Sequence, residues 1–235
     1  MCGRYSLCAD NRQILTQFGM DPTTMSAGFV PRYNIAPGSS IPVILNKWPE
    51  QIPGGRRVLE SYQWGFIPHW AKDPKAIPHP INARAETVAT QPFFREAFHK
   101  RRCIIPANGF YEWQKTGKDR QPWYFTRTDD KLLSFAGLWD EWHDPAAPEN
   151  AGLPTCTILV TQANAVLSPI HDRMPVVIGI RDYDRWLNPD FQDLDALQAL
   201  LRPMPDRLLE GWPVSKAVNN PRKDGPELIA RQVAG

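Results

Sequence analysis

The stretch CIIPANGFYEWQKTGKDRQPWYFTRTDDKLLSFAGLWDEW, Cys103–Trp142, decides the fold. It holds three runs rich in β-branched and aromatic residues: CIIPANGFYEWQK, PWYFTRT and KLLSFAGLWDEW. Between them stand TGKDR and TDD, both of hairpin size. Upstream, IPVILN and RRVLESYQWGFIP read as further strands; downstream, TCTILVTQ and PVVIGI do the same. PRYNIAPGSS reads as a turn-rich loop. Helical patterns sit at the edges: NRQILTQFG, closed by Gly19; ARAETVATQPFFREAFHKRR from Pro92 onward; RDYDRWL; and LDALQALL. Successive strands on short connectors predict an α+β fold. Its single domain, residues 1–235, holds a mainly antiparallel, partly barrel-like sheet with peripheral helices. No G-x-G-x-x-G follows a strand, which disfavours a dinucleotide-binding fold. HDPAAPENAGLP reads as a mobile surface insertion and not as a linker between domains.

Composition narrows the function. The 235 residues carry a formal charge of only +2, so any nucleic-acid contact must use a local patch. Nine tryptophans point to stacking or a dense core. The four cysteines, Cys2, Cys8, Cys103 and Cys156, form no C-x-x-C pair, and no structural metal or cofactor is expected. No run is long and apolar enough to span a bilayer, so a soluble, reducing, cytoplasmic setting is expected.

Four segments carry candidate chemistry. Loss of Met1 would leave Cys2 with an α-amine beside its thiol. The amine titrates near about 7.7–8.0 and a free thiol near about 8.5. An aldehyde would form an imine with that amine, and the thiol would close a thiazolidine. Cys2 read alone also fits a small buried cysteine. In INARAET, Asn82 and Arg84 share a side if the segment is extended; a structural turn is the other reading. In PANGFYEWQK, Phe110, Glu112 and Gln114 share one strand face, with Tyr111 and Trp113 on the other. A carboxyl among rings can hold a raised pKa and move protons, or can simply face solvent. His171, flanked by Asp172 and Arg173, precedes an apolar strand and is an acid/base or a structural histidine. WGFIPHW packs Trp64, Phe66 and Trp70, which are either core or a wedge between bases. Arg95, Lys100, Arg101 and Arg102 read as a solvated helix end.

Taken together, MCGRY, RYNIAPG, WGFIPHW, INARAET, RRCIIPANGFYEWQK, ILVTQAN, IHDRMPVVI and PVSKAVNN resemble the SRAP family. That family takes its name from the SOS response-associated peptidases and is also described as abasic-site shield proteins. The motifs occur in the family's order from residue 2 to about residue 220. The resemblance implies a nucleophile at Cys2 that captures the ring-opened aldehyde of an abasic deoxyribose in single-stranded DNA. It implies that Asn82 holds the sugar-derived atoms, that Glu112 moves protons during imine and thiazolidine formation, and that His171 opens the sugar ring and assists reversal. Arg4, Arg84 and Arg173 are implied phosphate contacts, Asn34 and Thr161 polar lining, and Trp64 with the loop to Trp70 a wedge. A monomer is expected. Two alternatives stay open: a cysteine peptidase acting on its own Met1–Cys2 bond, and a non-covalent reader of single-stranded or modified DNA. A strand-cleaving lyase step is a further possibility within the first reading.

Overall fold

The computed structural model describes residues 2–25, 29–47, 56–147 and 149–232. Met1, whose removal the sequence reading expects, and Pro148 of the expected insertion lie outside the described residues. The described strands are β1 (Tyr5–Leu7), β2 (Arg32–Ile35), β3 (Ser40–Lys47), β4 (Arg56–Trp64), β5 (Asn82–Arg84) and β6 (Arg102–Ala107). They continue with β7 (Gly109–Thr116), β8 (Asp119–Arg127), β9 (Leu133–Trp142), β10 (Leu153–Gln162), β11 (Arg173–Pro175) and β12 (Leu209–Pro213). The helices are short: α1 (Asn11–Phe18), α2 (Arg95–Lys100), α3 (Tyr183–Leu187) and α4 (Leu194–Gln198).

Two sheets share these strands. One runs β12-β8-β7-β1-β2 and is antiparallel throughout. In the other, β4, β3, β6, β9 and β10 pair in turn, and β10 returns to β4 in parallel, so five strands close a barrel. Beyond its contact with β4, one edge of β10 takes β5; beyond its contact with β9, the other edge takes β11. Closure leaves the ring without a free edge. The expected α+β class with a partly barrel-like, mainly antiparallel sheet is what the chain adopts.

CIIPANGFYEWQK is two strands and not one. β6 belongs to the barrel and β7 to the second sheet, and the chain changes sheets at Asn108. That residue's Oδ1 accepts the N–H groups of Cys8 (2.8 Å) and Ala9 (2.9 Å), and its carbonyl accepts the Thr126 hydroxyl (2.6 Å). Gly109 follows because a Cβ there would lie 2.3 Å from the Tyr124 ring and 2.5 Å from the Phe125 carbonyl. TGKDR does make a hairpin, with Thr116 opposite Asp119. TDD does not: it carries the chain from β8 back to β9 in the other sheet. PRYNIAPGSS contains β2, which pairs with β1.

α1 forms where its caps are encoded. The Asp10 carboxylate accepts the Gln13 N–H (2.8 Å), Gly19 closes the helix at φ 58°, and Ile14 and Phe18 face the core. The segment from Pro92 is helical only from Arg95. Arg102 is not part of a solvated end. It is 3% exposed, and its guanidinium caps the carbonyls of Phe98, His99, Trp186, Asn188 and Phe191; burial lowers its pKa to about 10.

Candidate active site

The start of the chain is fixed by β1 and β7. Tyr5 lies opposite Phe110, and Tyr111 donates its N–H to the Arg4 carbonyl (2.9 Å). Extended by one step, that register sets Gly3 opposite Glu112. Cys2 is fully buried, and its thiol pKa is pushed well up, first by burial and then by the charge of Glu112; a hydrogen bond from the Arg4 backbone works the other way. The thiol is therefore held protonated.

Glu112 occupies the face the alternation predicted. Phe110 joins the main core, Tyr111 packs with Tyr124 in a second cluster, and Glu112 itself is 2% exposed. Burial, opposed by weaker favourable interactions, raises its carboxyl to about 7, with Asp172 adding to the rise. Such a group is divided between acid and base near neutral pH.

His171 arrives from the turn before β11. Its Nε2 lies 3.8 Å from Glu112 Oε2, an electrostatic contact too long for a hydrogen bond. Its Nδ1 accepts the Arg173 N–H (3.0 Å), which places the proton of the neutral ring on Nε2, towards Glu112. Burial lowers the His171 pKa, favouring that neutral ring at pH 7. Asp172 Oδ1 lies 3.1 Å from Nδ1 on the solvent side.

β5 carries two further candidates. Its parallel pairing with β10 sets Asn82 against Ile158 and Arg84 against Val160, so Asn82 and Arg84 do share a side. Both line an open depression of about 660 Å³, with Pro80, Thr87, Phe93 and Phe94. The Asn82 carbonyl and amide atoms are buried with no hydrogen-bond partner among the described residues. Each such group costs about 1–3 kcal/mol until something pairs with it. Asn82 thus has the character of a ligand-binding amide.

The remaining expected contacts divide. Arg84 is exposed. Arg173 ion-pairs with Glu86, and Thr161, 5% exposed, lies opposite Met174. Arg4 donates to Asn34 Oδ1 (2.7 Å) and to the Val218 carbonyl (2.8 Å), with its guanidinium 6.0 Å from the Trp113 ring. Asn34 is fully buried, and its Nδ2 reaches the carbonyls of Val218, Asn220 and Lys223. That side chain ties the chain start to the C-terminal segment. Of the two tryptophans expected in a wedge, Trp70 is 50% exposed and Trp64 is fully buried. The Trp64 indole N–H donates to the Ile81 carbonyl (2.9 Å), so Trp64 supports β5 from inside. Asp140, 3% exposed on β9, is a buried carboxylate the sequence reading passed over. Its only signal is an acid at the buried parity of Ala136 and Leu138.

Among the described residues, no cluster of His, Cys, Asp or Glu could hold a metal ion, and no helix is long and apolar enough to cross a membrane. Residues 1–221 match the family model described as SOS response associated peptidase (SRAP). Abasic site processing protein YoqW of Bacillus subtilis is 40% identical over 97% of this chain and 99% of its own. Abasic site processing protein HMCES of Xenopus tropicalis is 31% identical over 86% of this chain and 66% of its own. A crystal structure of a Bacteroides thetaiotaomicron protein superposes with a TM-score of 0.80 at 23% identity. It covers 99% of this chain and 100% of that one, and the likeness is one of fold.

Proposed function

The chain belongs to the SOS response associated peptidase family, and on that premise we propose that it processes abasic sites in single-stranded DNA by covalent capture. The observation that carries the proposal is the grouping of a buried thiol at residue 2, a buried carboxyl raised to about 7, and a histidine 3.8 Å from it. Relatives named as abasic site processing proteins support the substrate class.

Removal of Met1 leaves Cys2 with a free α-amine. His171, as the imidazolium, gives its Nε2 proton to the sugar ring oxygen while the anomeric hydroxyl loses its own, so the ring opens to the aldehyde and that second proton restores the imidazolium. The amine attacks the carbonyl carbon, and loss of one water gives the imine. The Cys2 sulfur then bonds to the imine carbon while the thiol proton passes to nitrogen, closing a thiazolidine. The sum is aldehyde plus aminothiol giving thiazolidine plus water, with no change of oxidation state. Glu112 takes the proton the amine must lose and returns it to the departing hydroxyl. Asn82 holds the sugar-derived atoms, while Arg84 and Arg173 meet flanking phosphates. An abasic site has no base edge to read, so backbone, shape and the aldehyde carry recognition. Trp70 blocks a continuous duplex.

Incubation with an abasic oligonucleotide followed by a denaturing gel tests this. The expected result is a heat-stable shifted band that Cys2→Ala abolishes while non-covalent binding to single strands persists. A normal band from Cys2→Ala would sink the proposal. The same band also separates the alternatives: a peptidase or a non-covalent reader gives none.

A further inference from the structure

We infer that Asp140 is a positioning residue that presents Trp70 to the DNA and so sets the preference for single strands over duplex. The inference rests on the reading above.

Among the described residues, Trp70 is one of three exposed large apolar side chains, with Val30 and Ile180. Its ring meets Phe93 edge-on at 5.9 Å, and Phe93 continues through Phe94 and buried Phe66. Phe93 and Phe94 line the same depression as Asn82 and Arg84. Trp70 therefore stands at the rim of the proposed DNA site, on an aromatic wall that reaches the core. A ring there can stack on an unpaired base.

The backbone around Trp70 is anchored on both sides by the β9–β10 hairpin. Asp140 Oδ2 accepts the His69 backbone N–H (3.0 Å), and His69 Nδ1 lies 3.0 Å from that oxygen and 3.3 Å from Arg101 Nη2. Arg101 donates from Nη2 to the same oxygen (3.3 Å), and its Nε lies 3.1 Å from Oδ1. The Glu141 N–H occupies Oδ1 at 2.9 Å. On the far side of Trp70, the Ala71 carbonyl accepts the Trp142 indole N–H (2.6 Å). Two residues before His69, Thr155 accepts the Ile67 N–H (2.9 Å) and donates to the Ile67 carbonyl (3.2 Å). Glu96 closes the outer side, 3.1 Å from Arg101 and 3.7 Å from His69 Nε2. A loop with so many fixed backbone groups has little freedom left, so the ordering cost of presenting an aromatic ring is met on folding and not on binding. Among these anchors, Asp140 touches the residue next to Trp70 through both backbone and side chain.

The test is a ratio: crosslink yield on a single-stranded abasic oligonucleotide divided by yield on the same site in a duplex. Four proteins are compared with wild type: Asp140→Asn, His69→Gln, Trp70→Ala and the double variant Trp70→Ala/Asp140→Asn. His69→Gln removes only the side-chain arm at a half-exposed position, which keeps the test alive if Asp140→Asn folds poorly. Trp70→Ala and Asp140→Asn should each lower the ratio about tenfold, the equivalent of one charge-assisted hydrogen bond, and His69→Gln by less. Because Asp140 acts through Trp70, the double variant should match Trp70→Ala alone. An unchanged ratio in Trp70→Ala overturns the inference, as does an unchanged ratio in both Asp140→Asn and His69→Gln. A further fall in the double variant also overturns it, since Asp140 would then be acting by another route. If wild type forms no adduct at all, the covalent reading fails separately. The ratio is then taken from affinities for undamaged single strands and duplex, with the same outcomes decisive.

Discussion

Two carboxylates are buried to nearly the same degree, Glu112 at 2% and Asp140 at 3% exposure, and their surroundings differ. Asp140 is met by a backbone N–H from each of His69 and Glu141, the His69 ring and the Arg101 guanidinium. Such a set makes the group a fixed joint between elements. Glu112 lies on β7 between Tyr111 and Trp113, opposite Trp123, and faces His171 across 3.8 Å; burial raises its carboxyl to about 7. Burial alone therefore says little about the role of an acid. On the proposed reading Asp140 holds a loop and Glu112 moves a proton.

The largest expected effect breaks the comparison at Glu112. Glu112→Gln keeps the shape and removes the titration, and should slow adduct formation by about 10²- to 10⁴-fold. In wild type the rate should rise as pH passes about 7, where the carboxyl becomes a base, and Glu112→Gln should lose that rise. Time courses over pH 5.5–8.5 on single-stranded abasic DNA measure both. His171→Ala should slow formation too, and also slow release of a preformed adduct chased with competitor. Wild-type rates in both variants would return these residues to a structural role.

The next effect sharpens the comparison, because the two acids should differ in sign. A carboxyl raised from 4.5 to about 7 binds its proton more tightly in the folded state. That contribution is fully present below about pH 4.5 and is lost as pH rises through about 7. Keeping Glu112 ionised at pH 8 costs about 3 kcal/mol as an upper figure. Glu112→Gln should therefore stabilise the protein at pH 8 and gain little at pH 5. Asp140→Asn should destabilise at both, by about 2–3 kcal/mol, as it weakens the contacts to Arg101 and to the His69 backbone N–H. Denaturant unfolding at the two pH values reads all four numbers. A destabilising Glu112→Gln at pH 8 would mean that its ionised form is structurally required.

Much of this was legible in the sequence, unevenly. The strand runs, the α1 caps at Asp10 and Gly19, and the two faces around Glu112 follow from periodicity and local hydrogen bonding, which act within a few residues. The change of sheet at Asn108 was not legible, since it depends on Cys8 and Ala9, a hundred residues away, arriving to bind its side chain. Trp64 and Trp70 look alike in WGFIPHW; only packing against Tyr5 and the Ile81 carbonyl makes one a core residue. The candidate site was readable chiefly as a set of family motifs in order. Asp140 belongs to none of the segments that carried chemistry, and its partners His69 and Arg101 lie 71 and 39 residues away.

The central claim is that the bond to DNA is made by residue 2 through both its amine and its sulfur. It is tested most directly by digesting the adduct with nuclease and protease and measuring the mass of the N-terminal peptide. The account predicts a peptide beginning at Cys2, without Met1, carrying the deoxyribose remnant less one water and leaving no thiol free to alkylate. A remnant on a lysine, a remnant on a peptide that keeps Met1, or an adduct whose Cys2 thiol still alkylates would contradict it.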